Sequence, residues 1–528
     1  MLKKKYIIIT IVLLIIVGIF LYINRNQNTM EHNDVLLEGE EQKEILEDLR
    51  LGISEFDTIN PIISENKEII NISPLIYDPL LTLSNNYELQ LCLAKEYSKV
   101  NNTSYIVKLN ENIKWSDGTE FTADDVKFTI ETLKVTSSVY SDNVKDIKDV
   151  EVVDKNTIRI NLKEEVPFFE YNLIFPIVSK KQYEDKNMKN SKDIPIGTGI
   201  YKVEKITDEK IDLTINGQYR NLENNTPTIK KIEIYIYSSM GEVYNDFKLD
   251  KLDIVNTSNY NVEEYVGSIG YNKKEYPGRE YDYLAFNCKD TILQYKEVRQ
   301  AISCAINKKE IISNVYNNKY HEANFPLDYG NFLYDNDSEN DSYNINMAQE
   351  ILEEAGWKYE YGSWHKYIDG YDRTIELDLI VLKDNEARTE IANLIKEQLE
   401  KLGVTINVYE VSEATYQSYL GQKDYEMILT GVYNSYSPDI STFFGENNLA
   451  NYSNEKIQTI INELNSISDI NVLKDKYKEI IELIKDEVPY VGICRNKNTV
   501  LYSENLMGEI TPNNYTIFYN IQNWYREK

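Results

Sequence analysis

The side chains that most often perform catalysis or bind metals are scarce in this sequence. Its 528 residues include three histidines and four cysteines. His32, His321 and His365 lie far apart along the chain, and no Cys-x-x-Cys pair indicates a zinc site. The sequence also lacks the motifs of nucleotide-binding loops, serine hydrolases and zinc proteases. We therefore predict no metal site, no cofactor and no catalytic residues.

Carboxylates and tyrosines are abundant instead, with 86 acidic side chains and 43 tyrosines. Two acids at a suitable separation could hydrolyse a glycosidic bond. No local motif selects such a pair, so a surface hydrolase is kept only as an alternative. Tyrosine offers a rigid, amphipathic surface that binds peptides at low entropy cost. Most of the tyrosines are nevertheless expected to serve strands and surfaces.

One continuous stretch, Tyr105–Leu133, has the pattern of a strand, a turn and a capped helix. Its first residues alternate between apolar and polar, as in a half-buried strand. Asp117-Gly118 is a turn dipeptide, because glycine tolerates the positive φ of tight turns. Thr122 and Asp125 have the spacing of a capping box. Apolar residues then follow one face of a helix: Val126, Ile130 and Leu133.

A second readable unit, Thr374–Val411, predicts a strand, a helix and a second strand. Both strands alternate, and Gly403 supplies a stop for the helix between them. The predicted buried face of that helix consists of Ile391, Leu394, Ile395, Leu399 and Leu402. This order of elements implies a parallel sheet with a crossover, and hence an α/β protein.

The four cysteines leave the disulfide state open. Cys92, Cys288, Cys304 and Cys494 allow three pairings, and their spacing does not choose among them. Cys304 falls within a predicted helix, so we expect it to be a buried thiol.

The N-terminus predicts a membrane anchor. Tyr6–Ile23 is uncharged and nearly all apolar, and its eighteen residues would span about 27 Å as a helix. Three lysines precede it, which places the N-terminus in the cytoplasm. No small-residue cleavage site follows, and no cysteine is present there to accept a lipid. We expect an uncleaved, single-pass signal anchor with cleavage as the alternative, and a polar tether over residues 24–47.

The net charge of −29 limits the partners of the chain. Every charge before residue 26 is positive, so the remainder is more acidic than the total suggests. Such a chain would repel phosphates, which argues against nucleic acid as a partner. The acidic surface suits an exported, soluble domain, and it could also attract cationic ligands.

The stretch around Tyr105–Leu133 closely resembles the signature of the family 5 extracellular solute-binding proteins, which serve ABC importers of peptides, dipeptides and nickel. Further blocks resembling that family occur in the family's order along the chain. They are Leu49–Pro61, Ser73–Leu81, Ile196–Val203, Tyr281–Cys288, Lys296–Ile312, Ala348–Trp357 and Asp424–Phe444. Together the blocks extend over about residues 48–528.

The resemblance implies a two-lobed clamp of the type II periplasmic-binding-protein class, with an extra inserted subdomain, after the N-terminal transmembrane helix. Lobe I would comprise residues 48–77, 197–278 and 496–528. The inserted subdomain would be residues 78–196, and lobe II would be residues 279–495. The ligand would lie between the lobes, where clefts commonly bind ligands, and the lobes would close around it.

In peptide-binding members of the family the ligand pairs as an extra strand, so backbone hydrogen bonds give affinity irrespective of sequence. The matching residues here form two groups. The first group is Ser64, Glu65, Asn66 and Lys67. The second group is Gly431, Val432, Tyr433, Ser435, Tyr436 and Asp439. An alternative for Gly431 is a glycine that merely ends a strand.

This sequence departs from the family pattern at two positions. Val432 replaces a common tryptophan, and Ser435 replaces an acid that commonly pairs with the peptide's amine. A serine cannot form that charge-assisted bond, so Asp439, the nearest acid, is the candidate anchor. The alternative is that Asp439 caps a helix beginning near Ile440.

The resemblance therefore implies a membrane-tethered, extracellular receptor that captures oligopeptides and delivers them to an ABC permease. It is expected to be a monomer and not an enzyme. A receptor for another small solute, or for a peptide signal without transport, is the alternative within the binding class.

Overall fold

The structure is a computed structural model that describes residues 44–184, 186, 188, 193–259, 261–334, 343–467 and 469–528. The chain divides into two compact units. One is Glu47–Arg526, and the described residues of the other are 44–46 and Glu527–Lys528. The predicted anchor, Tyr6–Ile23, lies outside the described residues, as does most of the predicted tether. Within the described ranges, no helix is both long and apolar enough to cross a membrane.

The described elements mix helices and strands along the chain, as an α/β protein does. The helices are α1 (Lys67–Ile76), α2 (Ala123–Leu133), α3 (Ser141–Val144), α4 (Lys180–Tyr183), α5 (Met240–Lys248), α6 (Glu263–Val266), α7 (Lys296–Ala305), α8 (Lys308–Tyr316), α9 (Ile345–Glu354), α10 (Glu386–Leu402), α11 (Glu413–Gln422), α12 (Ser441–Phe444), α13 (Glu455–Leu464) and α14 (Ile470–Glu487). The strands are β1 (Ile45–Leu46), β2 (Asp48–Ser54), β3 (Leu81–Leu83), β4 (Leu89–Leu91), β5 (Ala94–Asn101), β6 (Ser104–Leu109), β7 (Ile147–Asp154), β8 (Thr157–Leu162), β9 (Tyr201–Ile206), β10 (Lys210–Ile215), β11 (Lys231–Tyr237), β12 (Ile254–Thr257), β13 (Tyr271–Phe286), β14 (His321–Glu322), β15 (Lys358–Glu360), β16 (Ser363–Ile368), β17 (Tyr371–Thr374), β18 (Glu376–Leu382), β19 (Thr405–Val411), β20 (Met427–Tyr433), β21 (Tyr490–Ser503), β22 (Leu506–Met507) and β23 (Tyr525–Glu527).

One large sheet forms the centre of the unit Glu47–Arg526. Its strand order is β19-β18-β20-β13-β21-β12-β2-β11-β10-β9, and β14 also pairs with β21. The two long strands β13 and β21 join the two halves of this order. Their antiparallel ladder shifts register between Pro277 and Tyr281 and again between Asp282 and Tyr283. The halves of the sheet are therefore joined by a ladder that is irregular near its middle.

A separate four-stranded sheet, β5-β6-β8-β7, contains the strand predicted from Tyr105–Leu133. β6 is followed by a turn in which Gly118 has φ of +84°, and then by α2. Thr122 and Asp125 form the predicted capping box, in which the Thr122 N–H donates to Asp125 Oδ2 over 2.9 Å. The predicted apolar face of α2 is fully buried. The strand, turn and capped helix are all confirmed.

The second predicted unit is also confirmed. β18 and β19 pair in parallel over their full lengths, and α10 connects them. Gly403 ends α10 in the left-handed conformation, with φ of +89°. The predicted face of α10 is buried in the same apolar core as Leu377 and Leu379, except that Leu394 is only half-buried.

The structure describes all four cysteines and the end of the predicted tether. None of the four cysteines, all of which are described, is joined in a disulfide. Cys304 is half-buried, not buried, because Ala301, Ile302 and Ala305 occupy the buried face of α7 and Cys304 lies at its margin. In the predicted tether, Ile45–Leu46 form the short strand β1.

Candidate functional site

Among the described strands, β20 has part of one edge without a neighbour. β13 pairs with all of β20 in antiparallel register. β18, on the other side, pairs with it only at Met427 and Ile428. The edge is therefore uncovered by β18 along the second half of β20, which is the segment that the sequence analysis assigned to ligand pairing.

The direction of the backbone groups along β20 follows from the hydrogen bonds at its two ends. Asn434 donates its N–H to the carbonyl of Arg279, and Asn287 donates its N–H to the carbonyl of Glu426. Hydrogen-bonded pairs alternate with non-hydrogen-bonded pairs in an antiparallel ladder. The backbone N–H and C=O groups of the even-numbered residues of β20 therefore point toward β13. The N–H and C=O of Gly431 and Tyr433 therefore point toward the edge that β18 leaves uncovered.

Gly431 lies against an ion pair on the face of the sheet. Arg388 donates from Nη2 to Asp282 Oδ1 over 2.7 Å and from Nε to the same oxygen over 3.1 Å. A Cβ at position 431 would lie 2.0 Å from Arg388 Nη2 and 2.2 Å from Asp282 Oδ1. Burial raises the pKa of Asp282 above its usual value, although Arg388 opposes that shift. A side chain at position 431 would therefore displace the ends of both charged side chains, which gives the glycine a role unrelated to ending a strand.

The residues after Gly431 build an aromatic surface around Arg279. The guanidinium carbon of Arg279 lies 3.7 Å from the ring centre of Tyr436 and 4.4 Å from that of Tyr433. Tyr436 donates its hydroxyl to the carbonyl of Asn514 over 2.6 Å, which fixes its ring. Tyr433 is 62% exposed, so one ring of this cluster faces solvent.

Val432 and Ser435 take no part in that cluster. Val432 is half-buried and packs against the apolar core on the opposite face of the sheet from Gly431. Ser435 is exposed, and its carbonyl accepts a hydrogen bond from the Tyr329 hydroxyl over 3.3 Å. The binding roles predicted for both residues stay predictions.

Both carboxylate oxygens of Asp439 are engaged at the start of α12. Oδ1 accepts from the N–H of Ser441 over 2.8 Å, and Oδ2 accepts from its hydroxyl over 2.9 Å. This is a local turn of the Asx type, one residue before the N-cap position, which Ile440 occupies without a side-chain cap hydrogen bond. Asp439 therefore supports the start of α12 without being its N-cap, and the amine-anchor role stays a prediction.

Replacing Asp439 by alanine is expected to lower the free energy of unfolding by about 1 kcal/mol, because the N–H of Ser441 loses its acceptor. Asp439→Asn keeps an acceptor and is the matched control for this hydrogen bond. Thermal melts and titrations with free-amine and N-acetylated peptides separate the two roles. An asparagine variant that melts normally but no longer distinguishes the two amines would identify Asp439 as the anchor.

The other predicted group, Ser64–Lys67, forms a turn that leads into α1. Ser64 is buried and donates its hydroxyl to Asp57 Oδ1 over 2.6 Å. Asn66 caps α1 by accepting the N–H of Glu68 over 2.8 Å and that of Ile69 over 3.3 Å. Glu65 and Lys67 are exposed, and Lys67 is the first residue of the helix.

The backbone of this turn is already occupied. The N–H groups of Ser64, Glu65 and Asn66 donate to the carbonyl of Asn60, to Asp57 Oδ2 and to Ser64 Oγ, respectively. The segment therefore lacks the regular unpaired edge of a strand, and its predicted pairing with a ligand stays a prediction. No hydrogen bond or ion pair between described residues joins it to Gly431–Asp439.

The two described histidines lie apart. Burial lowers the pKa of His321 below its usual value, whereas His365 bonds to Asp372 over 3.1 Å on a different sheet. Among the described residues, no group of three histidine, cysteine or acidic side chains is arranged to hold a metal ion.

Sequence reasoning missed Arg279, Tyr87 and Tyr329. Tyr87 stacks on Tyr436 with ring centres 5.8 Å apart, and Tyr329 meets Tyr87 edge-on at 5.0 Å. No local motif singles them out, and Arg279 stands two residues before the Tyr281–Cys288 block. Tyr433 and Tyr436, whose rings lie against Arg279, are more than 150 residues away from it along the chain, so no local pattern could reveal the cluster.

The chain matches a known protein family and curated members of it. Residues 88–454 match the family description "bacterial extracellular solute-binding proteins, family 5". The chain is 25% identical over 525 residues to the oligopeptide-binding protein AppA of Bacillus subtilis, covering 91% of this chain and 92% of that protein. It is 21% identical over 448 residues to the nickel-binding protein NikA of Staphylococcus aureus, covering 82% and 86% of the two chains.

Solved structures with the two-lobed fold superpose on the chain. The periplasmic murein tripeptide binding protein MppA, in its unliganded open form, gives a TM-score of 0.78 at 18% identity, covering 92% of this chain and 99% of that one. The family match covers more than half of the chain. The protein is therefore a solute-binding protein and not an enzyme. This chain belongs to the family 5 bacterial extracellular solute-binding proteins.

Proposed function

We propose that this protein captures oligopeptides outside the cell and delivers them to an ABC permease. The observation that carries the proposal is the edge of β20 that β18 leaves uncovered, where the N–H and C=O of Gly431 and Tyr433 point outward. An extended peptide can add to such an edge through its main chain, so affinity does not depend on one sequence. The similarity to an oligopeptide-binding protein supports this choice of ligand.

The peptide lies between two lobes in this proposal. Lobe I is residues 48–77, 197–278 and 496–528, lobe II is residues 279–495, and residues 78–196 form the inserted subdomain. The proposed crossings at 278–279 and 495–496 coincide with the irregular part of the β13–β21 ladder. Such a break in regular pairing suits a hinge, because a few residues there can absorb the backbone change of closure.

The protein acts as a monomer tethered to the cell membrane in this proposal. The apolar segment Tyr6–Ile23 is the anchor, with its N-terminus in the cytoplasm, and residues 24–47 hold the binding domain on the extracellular face. The permease lies in the same membrane. Retention of the full-length chain in the membrane fraction after a high-salt wash supports the anchor, whereas a secreted form beginning near residue 24 contradicts it.

A second candidate is a receptor for another small solute or for a peptide signal. Ser435 favours it, because an acid commonly found at that position in the family is missing. A ligand with a free amine would then need a different anchor, or the ligand would not be a standard peptide.

Native mass spectrometry of the full-length protein, purified in detergent, tests the proposal. Acid release is expected to yield peptides in about one-to-one amount with the protein. Returning the released peptides to fresh protein is expected to leave their masses unchanged. A non-peptide small molecule as the only released species would favour the second candidate, and steady formation of shorter fragments would indicate a hydrolase.

A further inference from the structure

Tyr416 is a buried tyrosine whose hydroxyl reaches the backbone of β20. It lies in α11, only 3% of its surface is exposed, and its hydroxyl donates to the carbonyl of Leu429 over 2.9 Å. The backbone groups of the even-numbered residues of β20 point toward β13, so the Leu429 carbonyl points toward the opposite edge. The hydrogen bond therefore places Tyr416 at the edge of β20 that β18 faces.

Leu429 stands where the pairing between β18 and β20 has stopped. β18 pairs with β20 only at Met427 and Ile428, and it then continues to Leu382 in its ladder with β19. A carbonyl in the middle of a sheet normally accepts from an N–H of the neighbouring strand. At Leu429 the Tyr416 hydroxyl supplies that hydrogen bond in place of a strand.

Two residues of β20 beyond Leu429 keep unpaired backbone groups on this edge. Gly431 and Tyr433 direct their N–H and C=O there, and no hydrogen bond between described residues reaches these groups. β20 itself ends at Tyr433. Ligand residues directly opposite Gly431 and Tyr433 would be separated by one residue, so the paired stretch of the ligand would be about three residues long.

A longer paired stretch would collide with Tyr416. An added strand lies about 4.8 Å from its neighbour, and its N–H nitrogen approaches a carbonyl oxygen to about 2.9 Å. The Tyr416 hydroxyl already occupies that position beside Leu429. Its ring belongs to the large apolar core, which holds the side chain in place. Burial raises the pKa of Tyr416 above its usual value, so the hydroxyl stays a proton donor at neutral pH.

We propose that Tyr416 ends the pairing edge of β20, so that the edge recognises the main chain of about three consecutive peptide residues. This inference rests on the proposed function and names the length of ligand backbone that the edge binds. Tyr416 is a specificity-determining residue in this role, because its hydroxyl excludes the ligand N–H that would extend the pairing. Longer peptides use the same short stretch, and their further residues make no main-chain hydrogen bond to β20.

Backbone N-methylation tests the proposal with full-length protein, because a methylated nitrogen cannot donate a hydrogen bond. Heptapeptide libraries with random side chains are N-methylated everywhere except in a central window of one, three or five residues. Retained peptides are quantified by mass spectrometry against an unmethylated library. The wild-type protein is expected to retain the windows of three and five equally, and the window of one about twofold to tenfold less, the range for one hydrogen bond.

Two variants examine the tyrosine itself. Tyr416→Phe keeps the ring and frees the carbonyl of Leu429 for a third ligand N–H. It is expected to retain the window of five about twofold to tenfold better than the window of three. Tyr419→Phe is the matched control, because Tyr419 lies in the same helix and its hydroxyl makes no hydrogen bond to β20 among the described residues. It is expected to keep the wild-type pattern.

The outcomes distinguish this proposal from the proposed function. Better retention of the window of five than of three by the wild-type protein would overturn the proposal, as would a Tyr416→Phe variant with the wild-type pattern. Equal retention of all windows would also overturn it, while leaving peptide capture intact. If the variant fails to fold in a thermal melt, the wild-type comparison of three and five residues decides alone. Failure to retain even the unmethylated library would overturn both this proposal and peptide capture.

Discussion

Replacing Asp328 by alanine is expected to lower the free energy of unfolding by about 3–5 kcal/mol, the cost of leaving a buried charge without its partner. The side chains of Arg495 and Asp328 are only 1% and 7% exposed. Arg495 donates to Asp328 Oδ1 from Nη2 over 2.6 Å and from Nε over 3.0 Å. The other carboxylate oxygen accepts the N–H groups of Asn324 and Phe325. The substitution therefore removes acceptors from four donors at once.

The position of the pair makes this loss important for the fold. Arg495 lies opposite Tyr281 in the β13–β21 ladder, beside the irregular stretch that joins the halves of the large sheet. Its guanidinium also lies 5.0 Å from the Tyr281 ring and 5.3 Å from the Tyr329 ring. Without Asp328, the charge would keep these rings and the carbonyls of Gly278, Phe325 and Pro326. Such neutral groups stabilise a cation less than a carboxylate does.

Urea unfolding of the variants provides the measurement. Glu120→Ala is the matched control, since it removes an exposed pair with Lys155 and is expected to cost less than about 1 kcal/mol. Arg495→Met combined with Asp328→Ala should recover part of the loss, because no unpaired charge remains. A single Asp328→Ala variant as stable as the Glu120→Ala control would refute the account.

The parts of the fold that the sequence predicted are those that neighbouring residues determine. The capping box of Thr122 and Asp125, and the stop at Gly403, depend on contacts within a few residues. The residue types and their spacing are therefore sufficient to predict where these helices begin and end. The same holds for the alternation of β18 and β19, since one face of each strand must be apolar whatever lies next to it.

The candidate site could be predicted only in part, because distant segments build it. The motif resemblance located Gly431. The side chains that a Cβ there would meet are those of Arg388 and Asp282, which are 43 and 149 residues away in sequence, respectively. Arg279 gave no signal, since its tyrosine neighbours come from another strand and loop. Ser64–Lys67 was assigned by a match with little motif beyond Pro61. The competing local signal, the helix cap of Asn66, determined the conformation there.

Substituting alanine for Gly431 is expected to destabilise the protein by about 1–3 kcal/mol, although the change adds a single methyl group. The new Cβ would occupy space within 2.2 Å of both charged ends of the Arg388–Asp282 pair. The pair must therefore separate or move, and Asp282 is enclosed enough that burial already raises its pKa. A shift of the strand here also moves the proposed pairing edge, so peptide capture well below the melting temperature is expected to fall by at least about tenfold.

A double-mutant cycle shows whether the ion pair causes this cost. In a background carrying Asp282→Asn and Arg388→Met, the added methyl no longer separates two charges, and Gly431→Ala is expected to cost less than about 1 kcal/mol. Gly421→Ala is the matched control for a glycine change, because a Cβ there meets open space and the residue lies in α11, where alanine is favoured. An equal cost of Gly431→Ala in both backgrounds would show that the glycine is required by the strand itself and not by the charges behind it.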